Sequence, residues 1–297
     1  MGYRLEAQEK LSIGIKRIAR EQADKALTQL TASGEGQDKA IHEARKCFKK
    51  IRAVVRLVRD EIGEAVYKQE NICYRDVGRG LSDARDGAVK VETLDELRER
   101  FAAQLDVDAF AKARDKLASE RHLIIEQTLK EEDVLADVVA TLQAAQARID
   151  TWPVERENFS SLAGGLRRVY KRGHNRLADA YADPRPEAFH DWRKRVKYLW
   201  YHIRILRPLW PDLFEVLADE IHDLSDYLGD DHDLAELRHV ALKRPELFDD
   251  EREQQVLIAL IDRRRAELEA AARPLGKRIY AEKPRRFVKR IAAYWHL

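Results

Sequence analysis

Two parallel stripes along residues 40–60, AIHEARKCFKKIRAVVRLVRD, narrow what this chain can fold into. Ile41, Ala44, Phe48, Ile51, Val55 and Val58 step by three, four, three, four, three, the spacing of a helix face that packs on a partner. His42, Arg45, Lys49, Arg52, Arg56 and Arg59 keep the same steps one residue later. That second line is turned by roughly 100° and runs about 26 Å at helical rise. It holds only cations and one histidine, whereas an ordinary solvated face mixes signs.

The design recurs 148 residues on. His42-x-x-Arg45-Lys46-x-x-Lys49 matches His190-x-x-Arg193-Lys194-x-x-Lys197, and Arg56 falls on Arg204. The apolar stripe returns as Phe189, Trp192, Val196, Leu199, Ile203 and Leu206, and Arg52 falls on Trp200. LSDARD at 81–86 matches LGDDHD at 228–233, at an offset of 147. Lys16-Arg17-x-x-Arg20 falls on Arg167-Arg168-x-x-Lys171 at 151. Near-constant offsets mean a duplicated unit of about four helices. The expected fold is all-α: two pseudo-symmetric four-helix bundles, 1–151 and 152–297, in one domain around a basic central cleft.

Helical periodicity runs through the rest, and no segment alternates as a strand would. The pattern predicts helices at about 5–31, 40–60 with Asp38 as N-cap, 64–90 and 107–150, with a break or turn at EED 131–133. In the second half it predicts 158–182, 189–206, 212–241 and 250–273, then a basic tail, KPRRFVKRIAAYWHL. No apolar run is long enough to span a membrane, and the N-terminus lacks a signal-peptide core. Cys47 and Cys73 lack metal-ligand spacing and read as reduced thiols of a cytoplasmic protein.

Charge is segregated. Lys+Arg 55 and Asp+Glu 53 nearly cancel, yet residues 39–59 carry eight cations against Glu43 alone. Residues 212–236 carry ten acids and no Lys or Arg. Like charges at helical spacing repel, so two matched stripes need a neutralising partner. Asp83, Asp86, Asp230 and Asp233 on neighbouring helices supply part of it. The rest points to an extended polyanion, since a row of forked Arg and point-charge Lys suits a linear phosphate chain. Paired His42 and His190 fit either metal ligands or phosphate donors whose charge depends on pH. Two alternatives stand beside this reading. One is a helical metal-dependent phosphohydrolase using His222, Asp223, His232 and Asp233. The other is a nucleic-acid binder stacking bases on Tyr198, Trp200 and Tyr201. No nucleophile–base pair is evident and no cofactor is implied, so the leading reading is a binding protein and not an enzyme.

These residues resemble the CHAD family, the conserved-histidine α-helical domain. The resemblance rests on His42-x-x-Arg45-Lys46-x-x-Lys49 and LSDARDGAV in the first half. In the second it rests on LRRVYKRGHNRLADA, FHDWRKRVKYLWYHIRIL and YLGDDHDLAEL. It implies binding of inorganic polyphosphate in a basic central channel, association with polyphosphate granules, and no catalysis. It places phosphate contacts on His42, Arg45, Lys49, Arg52, His190, Arg193 and Lys197, joined by Arg17, Arg20, Arg168 and Lys171. Lys46, Arg56, Lys194 and Arg204 complete the candidate set as members of the matched motifs, and no metal site is included. With no β-rich segment ahead of the helices, a free-standing member is expected.

Overall fold

The computed structural model describes the backbone of residues 2–31, 37–81, 83–130 and 132–295, and side chains over 2–31, 39–81, 89–120 and 135–295. The side chains of Asp38, Asp83, Asp86, Glu132 and Asp133, and all of Glu131, therefore lie outside the described residues. Among the described residues there is no strand. Eleven helices follow: α1 (Leu11–Thr31), α2 (Gln37–Leu57), α3 (Arg59–Gly80), α4 (Asp83–Arg100), α5 (Ala111–Lys130), α6 (Glu132–Ile149), α7 (Ser160–Ala182), α8 (Pro186–Ile205), α9 (Pro211–Lys243), α10 (Glu251–Ile279) and α11 (Pro284–Trp295).

Both apolar stripes are buried as their spacing requires. Ile41, Ala44, Phe48, Ile51, Val55 and Val58 sit in the main core, as do Phe189, Trp192, Val196, Leu199, Ile203 and Leu206. Element pairing follows the repeat: α1 packs on α2 and α6, and α7 packs on α8 and α11. In the same way α4 packs on α5, and α9 on α10. A smaller core joins Leu94 and Leu97 of α4, Ala113 and Leu117 of α5, Leu234 and Leu237 of α9, and Leu257 and Ile261 of α10. Both cores draw on both halves.

Four boundaries differ from the periodic expectation, each for a local reason. The first helix starts at Leu11 rather than residue 5, because Gln8 takes a left-handed backbone (φ 68°) that cannot continue a helix. The first residues lie against α8 and α2 instead: Leu5 N donates to Ile205 O at 3.0 Å, and Tyr3 OH to Lys50 O at 2.8 Å. The expected helix 64–90 is two helices. α3 ends at Gly80, and Leu81 N turns back to Arg79 O, while α4 runs on to Arg100. α3 also bends at Gly63, whose φ of 80° suits glycine. The pattern at 107–150 divides into α5 and α6, and α5 waits for Ala111 because Phe110 is left-handed (φ 61°). The basic tail is itself a helix, α11, whose Phe287, Val288 and Ile291 are buried.

Gly164 and Gly165 let the second half close on the first. A Cβ on Gly165 would collide with the Leu57 carbonyl, and one on Gly164 with the Asp60 carboxylate. The α7 backbone thus rests on the C-terminus of α2 and the start of α3. The link between halves is held by Glu61, which accepts from Arg156 N at 2.9 Å and Arg156 Nε at 2.7 Å.

Candidate functional site

α2 and α8 carry the matched cation stripes, and they touch. Buried His202 on α8 lies with Nε2 2.9 Å from the Ala53 carbonyl of α2. Beside this contact Lys49 is the most informative group. Its ammonium pKa is pushed down to about 8, first by burial, then by the charges of Arg193, Arg45 and Lys197. Asp233 acts in the opposite sense, as the weakest of the leading influences. Lys49 is nevertheless open to solvent. Arg45 and Arg193 occupy one position of the repeat, and Lys49 and Lys197 another. The charges of three further repeat-matched cations thus act on Lys49.

The match extends outward. Residues 50 and 198 correspond, as do 56 and 204. The Arg56 guanidinium lies 4.2 Å over the Tyr198 ring, and Arg204 helps burial to lower the pKa of Lys50. Arg204 also lies 4.7 Å over Trp200 and 5.6 Å over Tyr3. Lys197 Nζ is 5.0 Å over the same Trp200. Trp200, standing where the first half has Arg52, thus supports two cations. Arg52 itself donates to Asn71 Oδ1 at 3.2 Å.

Arg193 and Arg45 are fixed against the following helices. Arg45 donates to the Leu81 carbonyl at 3.0 Å. Arg193 lies on the Gly229 backbone of α9, where an added Cβ would stand 3.2 Å from Nη2. Its Nε has no hydrogen-bond partner. His190, three residues before Arg193, faces His232 of α9 with ring centroids 4.0 Å apart. Burial, then Lys194 and Arg193, push His190 down to about 4. Burial, then His190 and Arg193, push His232 down to about 3. Both rings are neutral at pH 7. His190 Nδ1 is shut from solvent and unpartnered.

Several candidates are engaged elsewhere. Arg17 donates to Glu9 at 2.7 Å, to Glu21 at 3.1 Å and to the Arg4 carbonyl at 2.9 Å. Arg20 is ion-paired with Asp150. Lys46 pairs with Glu43 at 2.8 Å, and Lys194 with Asp191 at 2.5 Å. Arg168 holds Asp60 at 2.6 Å. Arg168 and Lys171 line a groove between α7 and α11. His42 is half-buried on α2.

The acidic motif of α9 is divided by role. Asp231 is buried and accepts from Arg265 at 2.9 Å. Arg265 also meets Glu269, at 3.3 Å, and burial first, then Asp231, pushes that carboxyl up to about 7. Asp230 is raised to about 6, first by burial and then by Glu96 across α4. His222 is bound by Asp226 at 2.6 Å and meets Trp200 edge-on at 4.5 Å. His222 and His232 stand ten positions apart on one continuous helix, about 15 Å at helical rise. Among the described residues, no three of His, Cys, Asp and Glu are grouped to hold a metal ion.

Reasoning from the stripes missed Tyr3 and Lys50. Arg195, about 200° around α8 from Arg193, lines a separate groove with Arg172 of α7; burial first, then Arg172, lowers its pKa, and its Nε has no partner. The signal available was the aromatics of α8, placed three or four residues from cations. Tyr3 carried no signal, because it reaches the site from outside any helix.

Comparison with known proteins agrees with this architecture. The family model for the CHAD domain matches residues 17–242. The crystal structure of the CHAD domain from the plant Ricinus communis aligns with a TM-score of 0.52 at 17% identity. That alignment covers 99% of this chain and 94% of the other. No curated protein matches the sequence.

Proposed function

The chain belongs to the CHAD domain family, and from that premise we propose that it binds inorganic polyphosphate in a cleft between α2 and α8. One observation carries the reading: burial first, and then the charges of Arg193, Arg45 and Lys197 from both repeats, depress the Lys49 ammonium to about 8. Like charges so arranged are costly in the free protein and favourable once a polyanion threads between them. A linear chain suits a set drawn from two helices; a compact phosphate would call for a single nest of backbone donors. Neutral His190 and His232 add hydrogen-bonding groups without adding repulsion. Binding without catalysis is the reading, and recruitment to polyphosphate granules would follow from affinity for their surface chains. No helix among the described residues is long and apolar enough to cross a membrane.

Binding of polyphosphates of graded length, at several salt concentrations, tests this. Affinity should rise with length up to the span of the cleft and fall steeply with salt, as multiple displaced counterions require. Equal affinity for a short oligophosphate and a long chain would remove the linear-cleft reading. Competition by single-stranded RNA on equal terms would favour a general polyanion binder.

A further inference from the structure

α11 brings a second set of cations beside α7, away from Lys49. Its placement is firm. Phe287 stacks on Tyr170 with centroids 4.0 Å apart and planes 11° from parallel. Tyr170 OH donates to the carbonyls of Ile279 and Glu282, at 3.1 and 3.2 Å. The turn from α10 into α11 is therefore pinned on α7. The groove that results, about 650 Å³, is lined by Arg167, Arg168, Lys171, Lys283, Arg285 and Arg286.

Of these six, Arg168 is paired, with Asp60 at 2.6 Å, and its Nη1 is shut from solvent without a partner. The other five carry no ion pair or side-chain hydrogen bond among the described residues. Glu282, beside the turn, is held by Arg290 at 2.6 Å. The groove thus keeps a surplus of uncompensated positive charge. The first turn of α11 opens on it, adding the positive end of a twelve-residue helix. A surface ion-pair network would have interleaved acids here, and none lines the groove.

We propose that this groove is a second anion site, specific for a short oligophosphate. Four arginines supply forked donors that match phosphate oxygens. The α7 edge from Gly164 to Lys171 runs about 10 Å, the length of a few phosphate units. The assignment rests on α7 and α11 alone and stands whether or not the α2–α8 cleft binds a chain.

Titration calorimetry with tripolyphosphate separates the two sites. The wild type should show a groove equivalent beside whatever the cleft takes up. Arg285→Ala/Arg286→Ala should lose that equivalent, and Arg45→Ala/Arg193→Ala should keep it. Arg285 and Arg286 are exposed, while α11 packs through Phe287, Val288 and Ile291, so the double variant should fold. Tripolyphosphate should also shift the backbone amide signals of Gly164 and Arg285 in the wild type. A groove variant that titrates like the wild type, with those amides unmoved, overturns the second site and leaves the cleft reading intact. Loss of the groove equivalent with no effect of Arg45→Ala/Arg193→Ala does the reverse.

Discussion

Arg193 lies along the backbone of Gly229, so close that a methyl group there would stand 3.2 Å from Nη2 and 3.4 Å from Nε. The glycine sits inside a 33-residue helix, where it costs roughly 1 kcal/mol against alanine. Gly229→Ala should therefore leave thermal stability unchanged or slightly raised, while pushing Arg193 outward and weakening polyphosphate binding severalfold. Paired melting and binding curves check this. A variant with unchanged affinity would mean that the seat of Arg193 on α9 does not matter to the ligand.

Lys49 predicts proton uptake on binding. Its folded pKa of about 8 is below the ordinary lysine range, so its charged form is disfavoured by the fold. Between about 10.4 and 8 the unfolded chain holds the proton more readily, so this group costs stability once pH falls through that window. Lys49→Met should thus raise the melting temperature of the unliganded protein at pH 7 and yet weaken binding. A bound polyanion favours the ammonium, so near pH 8 binding should take up protons from buffer. Calorimetry in buffers of different ionisation enthalpy reads that uptake. Release, or no exchange at pH 8, would place the ligand elsewhere.

Arg17 separates structure from binding. Its guanidinium joins α1 to Glu9 and to the Arg4 carbonyl of the N-terminal segment, and its side chain is 14% exposed. Arg17→Ala should destabilise the fold by roughly 1.5–3 kcal/mol, the range for a lost charged hydrogen bond. Affinity of the folded variant should stay unchanged. Denaturant unfolding and binding below the transition measure the two effects separately.

Trp200 is predicted to organise cations rather than to contact a base. Two cation–π contacts of about 0.5–1 kcal/mol each hold Lys197 and Arg204. Trp200→Ala should weaken polyphosphate binding by up to roughly tenfold through lost pre-organisation. Trp200→Phe, which keeps an aromatic face, should restore most of it. If Trp200→Ala impaired RNA binding far more than polyphosphate binding, base stacking would be the better account.

Much of this was legible from residues 40–60 and their repeat. Buried Phe48 and Val196 follow from stripe geometry and duplication, and the charges of Arg45 and Arg193 both act on Lys49. The division after Gly80 was not legible, because α3 and α4 both carry helical periodicity. The removal of Arg17 from the candidate cluster depends on Glu9, which precedes α1 and reaches back only because Gln8 bends the chain. Arg168 and Lys171 repeat the basic pattern of Arg17 and Arg20, yet α11 draws them into a different groove. Repeat matching finds equivalent positions, while the side chains of the packed neighbours, Glu9 for α1 and the cations of α11 for α7, decide what those positions face.

The most direct measurement is the salt dependence of long-chain polyphosphate binding in the wild type and in Arg45→Ala/Arg193→Ala. Loss of two phosphate contacts should weaken binding and flatten the slope of log affinity against log salt by roughly 1.4, at about 0.7 per contact for a single strand. A double variant with the wild-type affinity and slope would contradict the assignment of the polyanion to the α2–α8 cleft.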